Sequence, residues 1–319
     1  MIGVLSDNKV LMTFYDYLSR SPQQDSSLKL GMLLRDKIHE RQELMIDVDS
    51  DTKKLDNLFR ANDLRYLLPK FTFFHREQHD IDVLVSAADF GEVVKMLQSE
   101  RYKVTSVQSA WKVTLAKWVE GRRNSVHVHS RLHWYTWDPF EFVPSGNLWR
   151  RARTINLDDH VKLLIPCAED CILVLAAHAM VENREVSLSD VFQLDGIVRK
   201  FPEVNWLETV DIAFKRGWCF DLVAFLKMVN YVSLSLYGTR IAPETFFSYA
   251  EKKIPSEERL FRRLARTTTF SIPWSYPYTQ RGLSFVNVFL KNYKSLAVLK
   301  IARGFAHRTA YELRRDKGE

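Results

Sequence analysis

The sequence predicts an α+β protein, with a compact mixed α/β unit at residues 65–150 and a helical region at 151–250. Three observations lead there. Asp80-Ile81-Asp82-Val83-Leu84-Val85 is a short apolar block with the composition of a strand. Ser125–Trp134 alternates, with Val126, Val128 and Leu132 on one face and His127, His129, Arg131 and His133 on the other. From Pro166 onward, apolar residues recur at helical spacing instead.

Residues 1–64 read as a helical, polar N-terminal segment. Leu11, Phe14, Tyr15 and Leu18 share one helical face, and a break follows at Ser21–Ser27. A second helix spans Leu28–Met45. A third spans Asp51–Leu64, with Leu55, Leu58 and Phe59 on one side. Arg65–Phe74 then reads as a strand, with Pro69 at an edge or bulge. After the Asp80–Val85 strand, Ser86 and Asp89 have the spacing of a cap for a helix that buries Val93, Val94, Met96 and Leu97. Arg101–Val107 and Ala110–Val119 read as strands, Gly121–Asn124 as a turn, and Pro144-Ser145-Gly146 as loop.

Helices follow at Ala168–Asn183, Ser189–Lys200, Trp206–Gly217 and Phe220–Tyr237, so that 160–250 reads as an all-α bundle. Ser187 and Ser189 are candidate caps, and Gly217 and Gly238 mark ends. Residues 251–319 form a basic helical C-terminal extension, with Ser271–Pro277 as a linker and Leu283–Phe305 as an amphipathic helix.

The chain has 319 residues, 46% hydrophobic and 27% charged, as in ordinary globular proteins. No uncharged apolar run approaches the roughly 18 residues that a membrane span needs. The first residues lack a basic signal-peptide region. Cys167, Cys171 and Cys219 are few and odd in number, which suits a reducing, cytoplasmic location. The Cys167-x3-Cys171 spacing fits core packing better than metal binding. Of the net charge of +7, residues 251–319 carry +9 (15 Lys and Arg against 6 Asp and Glu), leaving −2 on the first 250. Attraction to an anionic partner belongs to that C-terminal segment. Its interleaved aromatics suit RNA, an extra helical layer or a membrane surface.

Asp80 and Asp82 are one residue apart on a strand and so share a face. Two acids side by side repel unless a cation sits between them, as in enzymes that hold Mg²⁺ for phosphoryl transfer. A solvated strand end is the simpler alternative for an isolated D-x-D.

The order of motifs narrows the choice. Lys70 is followed by Asp80–Val85, a helix ending in Glu100-Arg101-Tyr102, the Val126–Trp134 strand, Asn147-Leu148-Trp149, Leu164–Asp170, Leu175–Ala179 and Leu188-Ser189-Asp190-Val191. Over residues 65–245 this succession resembles the uncharacterised nucleotidyltransferase family, within the DNA polymerase β-like superfold. The resemblance implies a small mixed β-sheet nucleotidyltransferase-like domain packed on an α-helical domain. It implies that Asp80 and Asp82 bind Mg²⁺ (or Mn²⁺) together with a nucleoside triphosphate. An acceptor hydroxyl attacks the α-phosphorus and pyrophosphate leaves. Lys70, Arg76, His79 and Arg131 are the candidates for contacts to the nucleotide.

Two departures matter. The Gly-Ser pair that cradles phosphate is missing, since Phe71–His79 contains no glycine. Where a third carboxylate is expected stands His127, which suits Mn²⁺ or Zn²⁺ better than Mg²⁺. A mixed site of Asp80, Asp82 and His127 is one outcome. His178, in the apolar run Leu173–His178, is either a packed histidine paired with Asp190 or Glu169 or a support for the site.

The reading is therefore a metal-dependent nucleotidyltransferase that moves a nucleotidyl group from a nucleoside triphosphate to an unidentified acceptor. Its alternative is a catalytically degenerate member of the same fold that binds nucleotide, RNA or a protein partner. In both, the basic C-terminal segment offers a surface for an RNA or protein acceptor.

Overall fold

The computed structural model describes residues 48–71, 80–119, 122–132, 141–159, 161–183, 185–253 and 274–275. Helix α1 (Val48–Ala61) leads into β1 (Tyr66–Leu67), and β2 (Asp80–Val85) is followed by α2 (Phe90–Ser99). Strands β3 (Lys103–Ser109), β4 (Lys112–Val119) and β5 (Arg122–His129) complete a five-stranded mixed sheet of order β1-β2-β5-β4-β3. Only the β2–β5 pair is parallel. A parallel neighbour needs a crossover, and here α2 and the β3–β4 hairpin supply it.

Ser86 starts that crossover as its spacing suggested. Its hydroxyl accepts from the Asp89 N–H at 3.1 Å and donates to the Asp89 carboxylate at 2.8 Å. Asp89 is the N-cap rather than the third helical residue. Val93, Met96 and Leu97 of α2 are buried.

The strand expected at Arg65–Phe74 shortens to Tyr66–Leu67, and Pro69 and Lys70 lie in a turn. Proline has no N–H to continue the ladder. The chain is tied down instead by the Leu68 N–H, which donates to the Leu164 carbonyl at 2.9 Å. The turn expected at Gly121–Asn124 is also corrected, because β5 already starts at Arg122, which pairs with Val119. That strand ends at His129, and Leu132 beyond it is still buried.

Helix α3 (Ser145–Arg150) replaces the expected loop and is followed by the hairpin β6 (Arg153–Asn156) and β7 (Lys162–Ile165). The all-α reading of 160–250 is therefore overturned at β7. Pro166 favours extended backbone in the residue before it, which suits a strand there.

Helix α4 (Ala168–Ala177) is buried on every face and passes directly into a π-helical turn, His178–Asn183. Helices α5 (Leu188–Lys200), α6 (Trp206–Arg216), α7 (Cys219–Tyr237) and α8 (Glu244–Lys253) complete the helical layer, and α5, α6 and α7 pack around α4. Ser187 caps α5 through a reciprocal box with Asp190. Gly217 and Gly238 end their helices at φ 88° and 69°, where a side chain would be strained. A two-residue strand β8 (Glu185–Val186) pairs with β9 (Trp274–Ser275), inside the stretch expected to be a linker. The remainder of 254–319 and residues 1–47 lie outside the described residues.

All three cysteines are buried free thiols, and burial pushes Cys167 up to about 12. That is the chemistry of core residues rather than ligands. No helix among the described residues is long and apolar enough to cross a membrane.

One hydrophobic core runs from α1 and the sheet through α4 to α7 and α8. Phe59 anchors the N-terminal end: it is fully buried, and its ring lies 4.4 Å from that of Tyr66. The Tyr66 hydroxyl donates to Asp56 at 2.9 Å, so α1 and β1 are joined by packing and by a hydrogen bond. Phe59→Ala is expected to cost about 3–5 kcal/mol in urea unfolding. A loss below about 1 kcal/mol would mean that α1 is not part of this core.

Candidate metal and nucleotide site

The site is a property of strand register. Asp82 pairs with His127 across the parallel β2–β5 ladder, and His127 pairs with Thr114 on β4. One step further, Leu84 pairs with His129, and His129 with Lys112. Side chains of alternate residues share a face, so Asp80, Asp82, His127, His129 and Lys112 all project to the same side of the sheet.

His129 Nε2 lies 2.8 Å from Asp82 Oδ1, and His127 Nδ1 lies 3.5 Å from the same oxygen. His127 Nδ1 is also 3.3 Å from Asp80 Oδ2. Lys70 Nζ approaches the other Asp82 oxygen at 3.4 Å. Asp82 is buried, whereas the Asp80 side chain is 37% exposed and forms the rim.

Burial opposes the charge on Asp82. The Lys70 ammonium and hydrogen bonds from His127 and His129 outweigh it and hold the carboxyl well below its ordinary range. His129 moves down as well. Its burial outweighs the hydrogen bond and charge of Asp82, which push it up, and the Lys112 and Lys70 ammonium groups add to the downward shift.

One ligand atom each from Asp82, His127 and His129 lies within 4.8 Å of the others, the spacing of a metal-binding group. His129 Nδ1 is buried with no hydrogen-bond partner. An imidazole that is neutral, buried and next to a carboxylate is a good ligand for a borderline divalent ion. The donor set therefore fits a divalent metal, and its two nitrogens suit Mn²⁺ or Zn²⁺ more than Mg²⁺.

The helical layer closes the site from the other side. Glu182, in the π-turn, accepts from His178 Nδ1 at 2.6 Å, and Lys70 Nζ lies 3.6 Å from the same oxygen; Lys112 Nζ lies 3.8 Å from the other. Burial works against the Glu182 charge, but Lys70, His178 and Lys112 together bring its carboxyl down strongly. An unbroken chain of polar contacts thus runs from Asp82 through Lys70 and Glu182 to His178. Beside Lys70 a small cavity of about 20 Å³ lies between Phe71, Val174, His178 and Gln193.

The structure thus brings Lys70, Asp80, Asp82 and His127 together. Arg131 lies two residues past β5 and is exposed. Arg76 and His79 lie outside the described residues, as does His133. The partner of His178 is Glu182 rather than Asp190 or Glu169. Asp190 is engaged in capping with Ser187, and Glu169 accepts from Asn205 N–H at 2.8 Å. Sequence reasoning placed His129 on this face without giving it a ligand role, and missed Lys112 and Glu182. The i, i+4 spacing of His178 and Glu182 is the signal that pointed to the latter.

Residues 4–232 match the family described as uncharacterised nucleotidyltransferase. The chain belongs to that family. A search among curated proteins returned no match. For a nucleotidyltransferase family member with this α+β architecture, the Asp/His/His cluster is a candidate metal site, while the nucleotide acceptor is not identified by the match.

The pKa directions give a sign for the metal-free protein. Both Asp82 and His129 have folded values below their unfolded ones, so each favours the fold above its unfolded pKa and loses that contribution as pH falls. For His129 the loss begins below its ordinary value of 6.5. Urea-unfolding stability in EDTA is expected to decline from about pH 7 to about pH 5, and His129→Gln should flatten that decline. An equal slope in wild type and variant would contradict the burial of neutral His129.

Proposed function

We propose that this protein transfers a nucleotidyl group from a nucleoside triphosphate to an acceptor hydroxyl, using one divalent ion held at Asp82, His127 and His129. Asp80 closes the ligand set at the rim. The observation that carries this reading is the convergence of Asp82, His127 and His129 within 4.8 Å on the face next to Lys70. A divalent ion there would stabilise charge on the α-phosphate as the bond to the acceptor oxygen forms and the bond to pyrophosphate breaks.

The remaining work falls to the chain itself. Lys70 neutralises Asp82 when no cation is present and offers its ammonium to phosphate when one is. Before an ion binds, His129 is buried and hydrogen-bonded to Asp82, so it holds that carboxylate in one orientation; on binding, the ion would take the place of that hydrogen bond. Asp80, more exposed, faces the side from which substrate approaches. Mn²⁺ is the expected ion, because two imidazoles make a poor Mg²⁺ site.

A second reading follows from the same contacts. Asp82 is already satisfied by Lys70, His127 and His129, and an imidazole stands where a third acid would complete a two-metal site. On this reading the protein binds nucleotide without turnover. A surface for RNA or a protein partner would belong to the basic residues 251–319, nearly all outside the described residues.

Pyrophosphate release from each nucleoside triphosphate, measured with Mn²⁺ and with Mg²⁺ in the presence of total RNA or protein, separates the two. Turnover is expected with Mn²⁺ and should fall about 100-fold or more in Asp82→Asn. Release that survives both Asp80→Asn and Asp82→Asn would place the chemistry elsewhere. Nucleotide binding without release under either ion would leave the binding module.

A further inference from the structure

Lys112 has no part in the reading so far. It begins β4, on the edge of the face that carries the metal ligands, and its Cα is paired with that of His129. Its side chain is only 14% exposed and that of Lys70 13%, so both ammonium groups are drawn into the site and not spread over the surface. Both lysines reach Glu182, each on a different carboxylate oxygen, and Lys70 also lies 3.4 Å from Asp82. Two cations thus converge on Glu182 at the border of the candidate metal site, where one divalent ion would tip the local balance from net negative to net positive. Their combined influence is felt at His129, which both push towards its neutral form.

The position matters as much as the charge. Lys112 lies one pair along the strands from the Asp82–His127–Thr114 row, a distance of about 7 Å. A lysine side chain can span that step, so the Lys112 ammonium can meet a phosphate tail held at that row. A polyphosphate also needs cations here for a reason of its own. Asp80 and Asp82 repel it, and the stretch Phe71–His79 has no glycine with which backbone N–H groups could cradle it.

We propose that Lys70 and Lys112 form a two-lysine clamp for the polyphosphate tail of the substrate, with Glu182 as the positioning residue that holds the pair together while the tail is absent. The clamp takes the place of the missing glycine-rich cradle. It rests on the nucleotidyl-transfer reading for its substrate, but its chemistry, recognition of linked phosphates by paired ammonium groups, is open to test without turnover. Lys112 is reached by tail oxygens from the side where Glu182 (28% exposed) and His178 (22% exposed) meet solvent.

The probes are inorganic pyrophosphate and tripolyphosphate, titrated calorimetrically into the full chain with Mn²⁺ present throughout. Wild type is expected to bind both. Lys112→Gln should bind about tenfold or more weakly, and Lys112→Arg, which keeps the charge, within about threefold of wild type. Equal affinity in wild type and Lys112→Gln, or no binding by wild type at millimolar probe, overturns the clamp. A second measurement needs no variant. Acetylation of wild-type lysines is followed by mass spectrometry with and without tripolyphosphate. Protection of Lys70 and Lys112 but not of Lys95, exposed on α2, is expected, and equal labelling of Lys112 in both samples overturns the proposal. Pyrophosphate release on the same preparation is read separately. Probe binding without release would end the transfer reading and leave the clamp standing.

Discussion

A buried carboxylate on a central strand dictates much of what surrounds it. Asp82 sits between β1 and β5, where water cannot satisfy it, and an unpaired charge at such a depth is too costly to keep. Lys70 and two histidines meet that demand at 2.8–3.5 Å. Each of these partners brings a further requirement. Lys70 must be held at the end of a broken strand, His127 and His129 must be in register on a parallel neighbour, and the Lys70 ammonium must have a second acid. The turn at Pro69, the crossover through α2 and the π-turn carrying Glu182 meet these three requirements. Removing one member leaves the others buried and unpaired, so the group is expected to behave as a unit.

The parts of this arrangement that depend on local periodicity could be read from the sequence. Alternation gave the shared face of Asp80 and Asp82 and that of His127 and His129. Capping gave Ser187, with Ser189 as the alternative, and glycine gave the ends at Gly217 and Gly238. The parts that depend on long-range register could not. A turn at 121–124 would have placed His129 opposite Ala116 and Lys112 opposite His133. The actual pairing of Val119 with Arg122 shifts the hairpin and puts Lys112 beside His129. A shift of four residues in register thus decides whether a lysine belongs to the site. Glu182 was hidden for a different reason. Its i, i+4 spacing from His178 is readable, but the convergence of Lys70 and Lys112 on it depends on contacts between segments far apart in the sequence.

The hairpin β6–β7 shows how a polar periphery misleads. Residues 153–165 contain charges and one short apolar run, and the helical pattern that begins at Pro166 invites extension backwards. In the structure the hairpin is fastened at both ends. Arg60 of α1 donates to the Lys162 carbonyl at 3.0 Å, and the Leu164 carbonyl accepts from Leu68 N–H at 2.9 Å. Both partners lie about a hundred residues away in sequence. This small element therefore links the N-terminal helix, the turn before Lys70 and the entry to α4. It positions Lys70 indirectly, because the residue two before it is held by β7.

Charge balance gives the substitution of His127 for an acid a physical sense. Counting carboxylates and ammonium groups alone, Asp80, Asp82 and Glu182 face Lys70 and Lys112, a net of −1. One divalent ion turns that into +1, an environment that attracts an anion. A third acid at position 127 would bring the same site back to neutrality, and a second divalent ion would be needed to restore the attraction. Acid-rich sites solve the repulsion of a polyanion with metals. This one has fewer acids, and the lysines supply part of the positive charge from the protein itself. On the proposed transfer reading, the imidazoles and the lysines are then two sides of one arrangement: an imidazole in place of an acid lowers the demand for metal, and fixed cations supply part of the positive charge that phosphate binding needs.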